Sequence, residues 1–217
     1  MKKEINLNIK YSAVNYIVIN VLRFIVRIVF IRTLSIEYLG VNGLFTNVLA
    51  MLSLAELGIG PAIVYSLYKP LAYGDEDTVK AIMHLFKKVY VAIGGIILVL
   101  GLLLYPWLDS FIKDGQSVPD VHYFYLVFLL NTVVSYLWTY KRSLLIADQK
   151  QYIVNIYQAV VQIVVAVLQI ILLTVFENYW CFIILMLFGT VLENFSIAHK
   201  ADKEYPYLQE EADKLNI

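Results

Sequence analysis

Apolar residues run along this chain in long stretches, without the alternation of a half-buried strand or the single stripe of a water-facing helix. Six stretches stand out, at residues 12–31, 41–67, 84–108, 121–146, 153–176 and 179–197. Each is near or above the ~20 residues an α-helix needs to cross a hydrocarbon core, and only the last is short. Polar breaks separate several of them: Gly74-Asp75-Glu76-Asp77, Lys113-Asp114-Gly115 with Pro119, and Asp148-Gln149-Lys150. Glycine, proline and clustered charges of this kind interrupt helices. The pattern predicts an all-α, polytopic transmembrane bundle of about six helices over residues 1–198. A charged tail or linker follows over 199–217.

Composition strengthens this reading. The chain is 60% hydrophobic and 16% charged, with a mean hydropathy of +0.71, whereas soluble domains carry about 25% charged residues. The first apolar run is too long for a signal peptide and is followed by no small-residue cleavage site, so it reads as a retained span. The formal net charge of zero conceals a positional bias. With the N-terminus inside, 13 of the 17 Lys and Arg residues fall in cytoplasmic segments or helix ends; Arg23 and Arg27 lie within a span, and only Arg32 and Lys113 lie outside. That positive-inside asymmetry predicts both termini in the cytoplasm and an even number of crossings.

Several chemistries have no footing. Cys181 is the single cysteine, and His84, His122 and His199 are scattered without metal-ligand spacing. No phosphate-cradling loop, nucleophile elbow or His-x-x-x-His pair occurs. The expectation is a non-enzyme with no cofactor, no metal and no nucleic-acid partner. Asp75 and Asp77 read as a solvated turn, and the sequon at Asn194 as chance because it falls at a cytoplasmic helix end.

Polar residues inside the spans carry the functional signal. Tyr16, Asn20, Arg23 and Arg27 are spaced by four, three and four residues, which places them on one helical face. Arg23 lies about 16 Å along the helix from the cytoplasmic end of the first run, close to mid-membrane. Arginine there costs at least ~2.5 kcal/mol and usually marks a substrate or ion path; the plainer alternative is a buried ion pair that glues helices together. Glu56, in the second span, is expected at a similar depth. It is a candidate for coupling to a cation or proton, or for pairing with Arg23. Gly58, Gly60 and Pro61 predict a kink or hinge near residue 57. The fourth span presents Asn131, Ser135, Trp138 and Arg142, and the fifth Asn155, Gln158, Gln162 and Gln169. Both stripes suit either a hydrated cavity or hydrogen bonding between helices. The third span is apolar from Val91 to Leu104 apart from Gly94, Gly95 and Gly101, and is expected to face lipid or pack closely.

The run Ile31-Arg32-Thr33-Leu34-Ser35-Ile36-Glu37-Tyr38-Leu39-Gly40-Val41-Asn42-Gly43-Leu44-Phe45, followed by Leu54-Ala55-Glu56-Leu57-Gly58-Ile59-Gly60-Pro61-Ala62-Ile63, resembles the opening of bacterial polysaccharide repeat-unit flippases. These belong to the multidrug/oligosaccharidyl-lipid/polysaccharide exporter superfamily. The resemblance implies a protein of the bacterial cytoplasmic membrane that moves undecaprenyl-diphosphate-linked oligosaccharide to the outer leaflet for surface polysaccharide. It also implies that Arg23 and Arg27, with Asn20 and Tyr16, meet the diphosphate, since arginine suits bidentate contact with phosphate oxygens. Members usually have twelve to fourteen helices in two lobes of six. This chain corresponds to the N-terminal lobe, so a missing second lobe or a homodimer is expected. Two other readings stay open: a cation-coupled multidrug exporter of the same superfamily, prompted by Glu56, and a non-transporting membrane subunit or scaffold of a glycan assembly complex, prompted by the half-length chain.

Overall fold

The computed structural model of the chain describes residues 2–56, 58–111 and 118–209. It is an all-α bundle, and no strand occurs among the described residues. The helices are α1 (Lys2–Thr33), α2 (Ile36–Leu52), α3 (Ile59–Tyr73), α4 (Glu76–Leu104), the single turn α5 (Leu108–Phe111), α6 (Val121–Tyr136), α7 (Thr139–Ala147), α8 (Gln151–Phe176) and α9 (Tyr179–Glu204). Four of them, α1, α4, α8 and α9, are long and apolar enough to cross a membrane. A fifth span results if α6 and α7, bent by 40° at their junction, count as one. The chain is thus a multi-pass membrane protein by the length and composition of its helices.

The second predicted span is where the count of six departs from the structure. Residues 41–67 do not form one helix: α2 and α3 have 17 and 15 residues and are separated by a 3₁₀ turn over Ser53–Glu56. Gly58 then takes φ +90°, a left-handed conformation in which glycine bears no Cβ penalty, and its carbonyl accepts from the Ala62 N–H at 3.0 Å. Leu57 itself lies outside the described residues. Pro61 falls in the first turn of α3, where its missing N–H costs no helical bond.

Helices α1, α4 and α8 start at one end of the bundle, where α3, α7 and α9 finish. Asn8 ties the start of α1 to the α7–α8 turn, donating to the Gln149 carbonyl at 2.8 Å and accepting from the Tyr152 N–H at 2.8 Å. At this end Lys141 meets Asp202 at 2.6 Å, and Lys150 meets Asp148 at 2.9 Å and Glu204 at 3.1 Å. This is the basic end. At the opposite end Phe30, Tyr38, Phe124, Tyr179, Trp180 and Phe182 form an aromatic cluster, with ring centroids 4.8 to 6.2 Å apart. The Trp180 indole donates to Asp120 at 3.1 Å.

Close packing is visible at the glycines of α4. A Cβ on Gly101 would lie 2.3 Å from Leu129 Cδ1, and one on Gly94 would touch Val133 and Tyr136, so α4 seats on α6 through a groove that larger residues would fill. Gly95 has nothing within 4 Å. Helix α9 runs through residue 198 to Glu204 without a break, supported by the Lys200–Glu204 pair at 2.6 Å. The expected tail therefore begins as helix, and Pro206–Gln209 folds back as a 3₁₀ turn. Tyr205 is buried there and donates to Asp148 at 2.7 Å. Burial and this bond to a carboxylate push its phenol above the ordinary range. The Lys113 loop and residues 210–217 lie outside the described residues.

Candidate functional site

Helix α1 is held mainly by α8 and presents polar side chains on two neighbouring faces, one buried and one exposed. The inner face buries Asn15, Ile19, Val26 and Phe30. The outer face carries Tyr16, Asn20, Arg23 and Arg27, all exposed, in the register their spacing predicts. Asn20 turns back to donate to the Tyr16 carbonyl at 2.7 Å. Neither Arg23 nor Arg27 has a hydrogen bond or ion pair among the described residues. The pairing of Arg23 with Glu56 is not formed. Each exposed guanidinium keeps its five N–H donors free of partners among the described residues.

Glu56 ends the turn between α2 and α3 and accepts from the Tyr90 hydroxyl of α4 at 3.1 Å. Tyr90 stands one residue before the apolar stretch from Val91 to Leu104, so the third span contributes a polar contact from its edge. Around this pair lies a cleft of about 630 Å³ between α3, α4 and α7, lined by Glu56, Gly60, Pro61, Val64, Tyr65, Tyr68, Tyr90, Thr139, Arg142, Ser143 and Ile146. Gly60 stands beside the tyrosine, and a Cβ there would meet the hydroxyl in ordinary contact at 3.6 Å. Glu56, Gly60 and Pro61 therefore share one cleft, while Gly58 shapes the turn beside it.

A third arrangement is a buried network centred on Glu193 of α9. Its Oε1 accepts from Arg142 Nη2 at 2.6 Å and from Gln158 Nε2 at 3.3 Å, and its Oε2 accepts from Gln162 Nε2 at 2.9 Å. Gln158 in turn accepts from Asn15 Nδ2 at 2.8 Å, and Asn155 donates to Ser12 at 2.8 Å. The network joins α1, α7, α8 and α9. Arg142 Nε and Asn15 Oδ1 are buried without a partner among the described residues. Here the amide stripe of the fifth predicted span bonds between helices. Of the fourth predicted span's stripe, Arg142 joins it, whereas Ser135 bonds within its own helix to the Thr132 carbonyl.

Sequence reasoning missed Glu193, Tyr90, Ser12 and Asn15. A lone carboxylate inside the apolar run 179–197 was the available signal for Glu193, because an ionised group at such a depth needs a partner. Tyr90 carried no signal among seventeen tyrosines. Among the described residues no three His, Cys, Asp or Glu side chains come together as metal ligands would.

Fold and sites together define an all-helical, multi-pass membrane protein with a cationic outer face on its first helix and a tyrosine-lined cleft. No known protein family, curated protein or solved structure matches the chain.

Proposed function

We propose that the chain is one lobe of a flippase for lipid-diphosphate-linked oligosaccharides, with its basic end in the cytoplasm of a bacterial cell. The observation that carries this reading is the outer face of α1. Two arginines stand exposed and unpaired within a span, where contact with lipid tails would cost at least ~2.5 kcal/mol each. A face of that kind turns toward a wet cavity, and a compact dianionic headgroup is the ligand that its free guanidinium forks suit best. The opposite wall of the cavity comes from a second lobe, carried on a longer polypeptide or supplied by another copy of this chain. The segment pattern around Arg32 and Glu56 agrees with the resemblance to repeat-unit flippases. The crowding of lysines at the basic end supports the orientation.

The test replaces both arginines, Arg23→Ala with Arg27→Ala, in the host whose surface glycan depends on this gene. Surface glycan is expected to disappear while the protein remains in the membrane at its normal level. Unchanged glycan would refute the proposal.

A further inference from the structure

The cleft between α3, α4 and α7 does not include the arginines of α1, and its chemistry differs from theirs. Tyr65 and Tyr68, 79% and 46% exposed, stand three residues apart on one face of α3, with Tyr90 buried between α3 and α4. Glu56 can only accept, and Tyr90 occupies one of its several lone-pair sites. Arg142 can only donate. Its charge is already met by Glu193 at 2.6 Å, yet its side chain remains 26% exposed. The Thr139 and Ser143 hydroxyls give their protons to the Ser135 and Thr139 carbonyls at 2.6 and 3.4 Å, which leaves their oxygens as acceptors. The cleft therefore offers aromatic faces, acceptors and a donor together.

We infer that this cleft is a saccharide subsite, which takes neutral sugar units through stacking on Tyr65 and Tyr68 and hydroxyl contacts to Glu56 and Arg142. Sugar rings present C–H faces to aromatic rings, and each hydroxyl both donates and accepts. Other ligand classes fit less well. A phosphate would meet the Glu56 carboxylate and a guanidinium already neutralised. An organic cation would find the aromatic faces but also the guanidinium. A lipid tail would bury Glu56 and Arg142 against hydrocarbon. The volume of about 630 Å³ lies inside the roughly 300–1,000 Å³ usual for small-molecule sites. The inference rests on the proposed flippase function for the source of the sugar, and it divides the ligand: diphosphate on α1, saccharide in the cleft.

The experiment uses the native chain purified in mild detergent, applied to an array of free bacterial-type oligosaccharides and, separately, to sugar-free undecaprenyl diphosphate. Native protein is expected to retain at least one glycan. Tyr65→Ala with Tyr68→Ala, and Glu56→Gln, each weaken that binding about tenfold or more, while Tyr65→Phe, which keeps the ring, retains it. Arg23→Ala with Arg27→Ala leaves glycan binding intact and abolishes binding of the sugar-free lipid. The subsite is overturned if no glycan is retained, or if the tyrosine and Glu56 variants bind glycan as the native protein does. It is overturned equally if the cleft instead takes tetraphenylphosphonium in a Glu56-dependent way and no sugar. Cleft-dependent glycan binding without any lipid-diphosphate binding would sink the flippase reading and leave the subsite standing.

Discussion

Helix α1 carries two sets of polar side chains that differ in one respect. On the inner face Ser12 and Asn15 are hydrogen-bonded across to α8, and through Gln158 they join the Glu193 carboxylate. On the outer face Asn20 bonds only to its own helix, and Arg23 and Arg27 bond to nothing among the described residues. The inner set is bonded to neighbouring helices, Asn15 Oδ1 excepted, so its work is to hold four helices in register. The outer set is left open and is available to a ligand. Polarity within a span thus has two meanings, which hydrogen-bond satisfaction separates and hydropathy does not.

The largest test of that contrast is Glu193→Leu. It strands the Arg142 guanidinium and two amide donors, and should cost about 3–5 kcal/mol, read as a collapse of the thermal melt in detergent and of membrane abundance. Adding Arg142→Leu should recover the part of the loss due to the stranded guanidinium, because a buried pair replaced by apolar side chains is often neutral. The Gln158 and Gln162 amide donors stay unpaired. A single variant that melts like the native protein would break the comparison. Next in size is Asn15→Ala, expected to cost about 1–3 kcal/mol by unpairing Gln158. Its counterpart Asn20→Ala, five residues along the same helix, should stay within about 0.5 kcal/mol. Equal melts for the two would erase the distinction between the faces.

Tyr205 supplies a third case at the basic end, a polar group buried and bonded outside the spans. Tyr205→Phe should cost about 1 kcal/mol. Its phenol is raised in the folded protein, so its contribution is complete below the unfolded phenol value near 10 and is lost as pH rises beyond it. Native protein should therefore lose stability more steeply above pH ~10 than the phenylalanine variant does. The smallest structural effect belongs to Arg23→Ala with Arg27→Ala, whose melt should match the native protein. A large destabilisation there would recast the outer arginines as structural.

The same contrast explains what the sequence disclosed. Spacing alone put Tyr16, Asn20, Arg23 and Arg27 on one face, and the structure keeps them together, because helical periodicity is a local property. Which way that face points was not legible, since it depends on how α8 packs against the neighbouring face of α1. Gly58 and Pro61 announced an interruption, but not that the run would split into two helices too short to span. The Glu193 network joins residues as many as 143 positions apart, a distance no periodicity reports. The helical continuation to Glu204 was hidden by charge: the polar run 199–204 looks like a tail until Lys200, Asp202 and Glu204 find partners on α7, on α9 itself and in the α7–α8 turn.

The broken second span also has a consequence for biogenesis. Insertion into a bilayer favours apolar helices of ~20 residues, and neither the 17 residues of α2 nor the 15 of α3 reaches that length alone. The Glu56 carboxylate emerges 34 residues before Tyr90, which supplies its hydrogen bond. The helices against which α3 packs, α4 and α7, are both made after it. This segment is settled by neighbours that arrive later, so the cleft takes shape only once α7 is in place, and a chain interrupted before α7 would leave Glu56 without a completed surround.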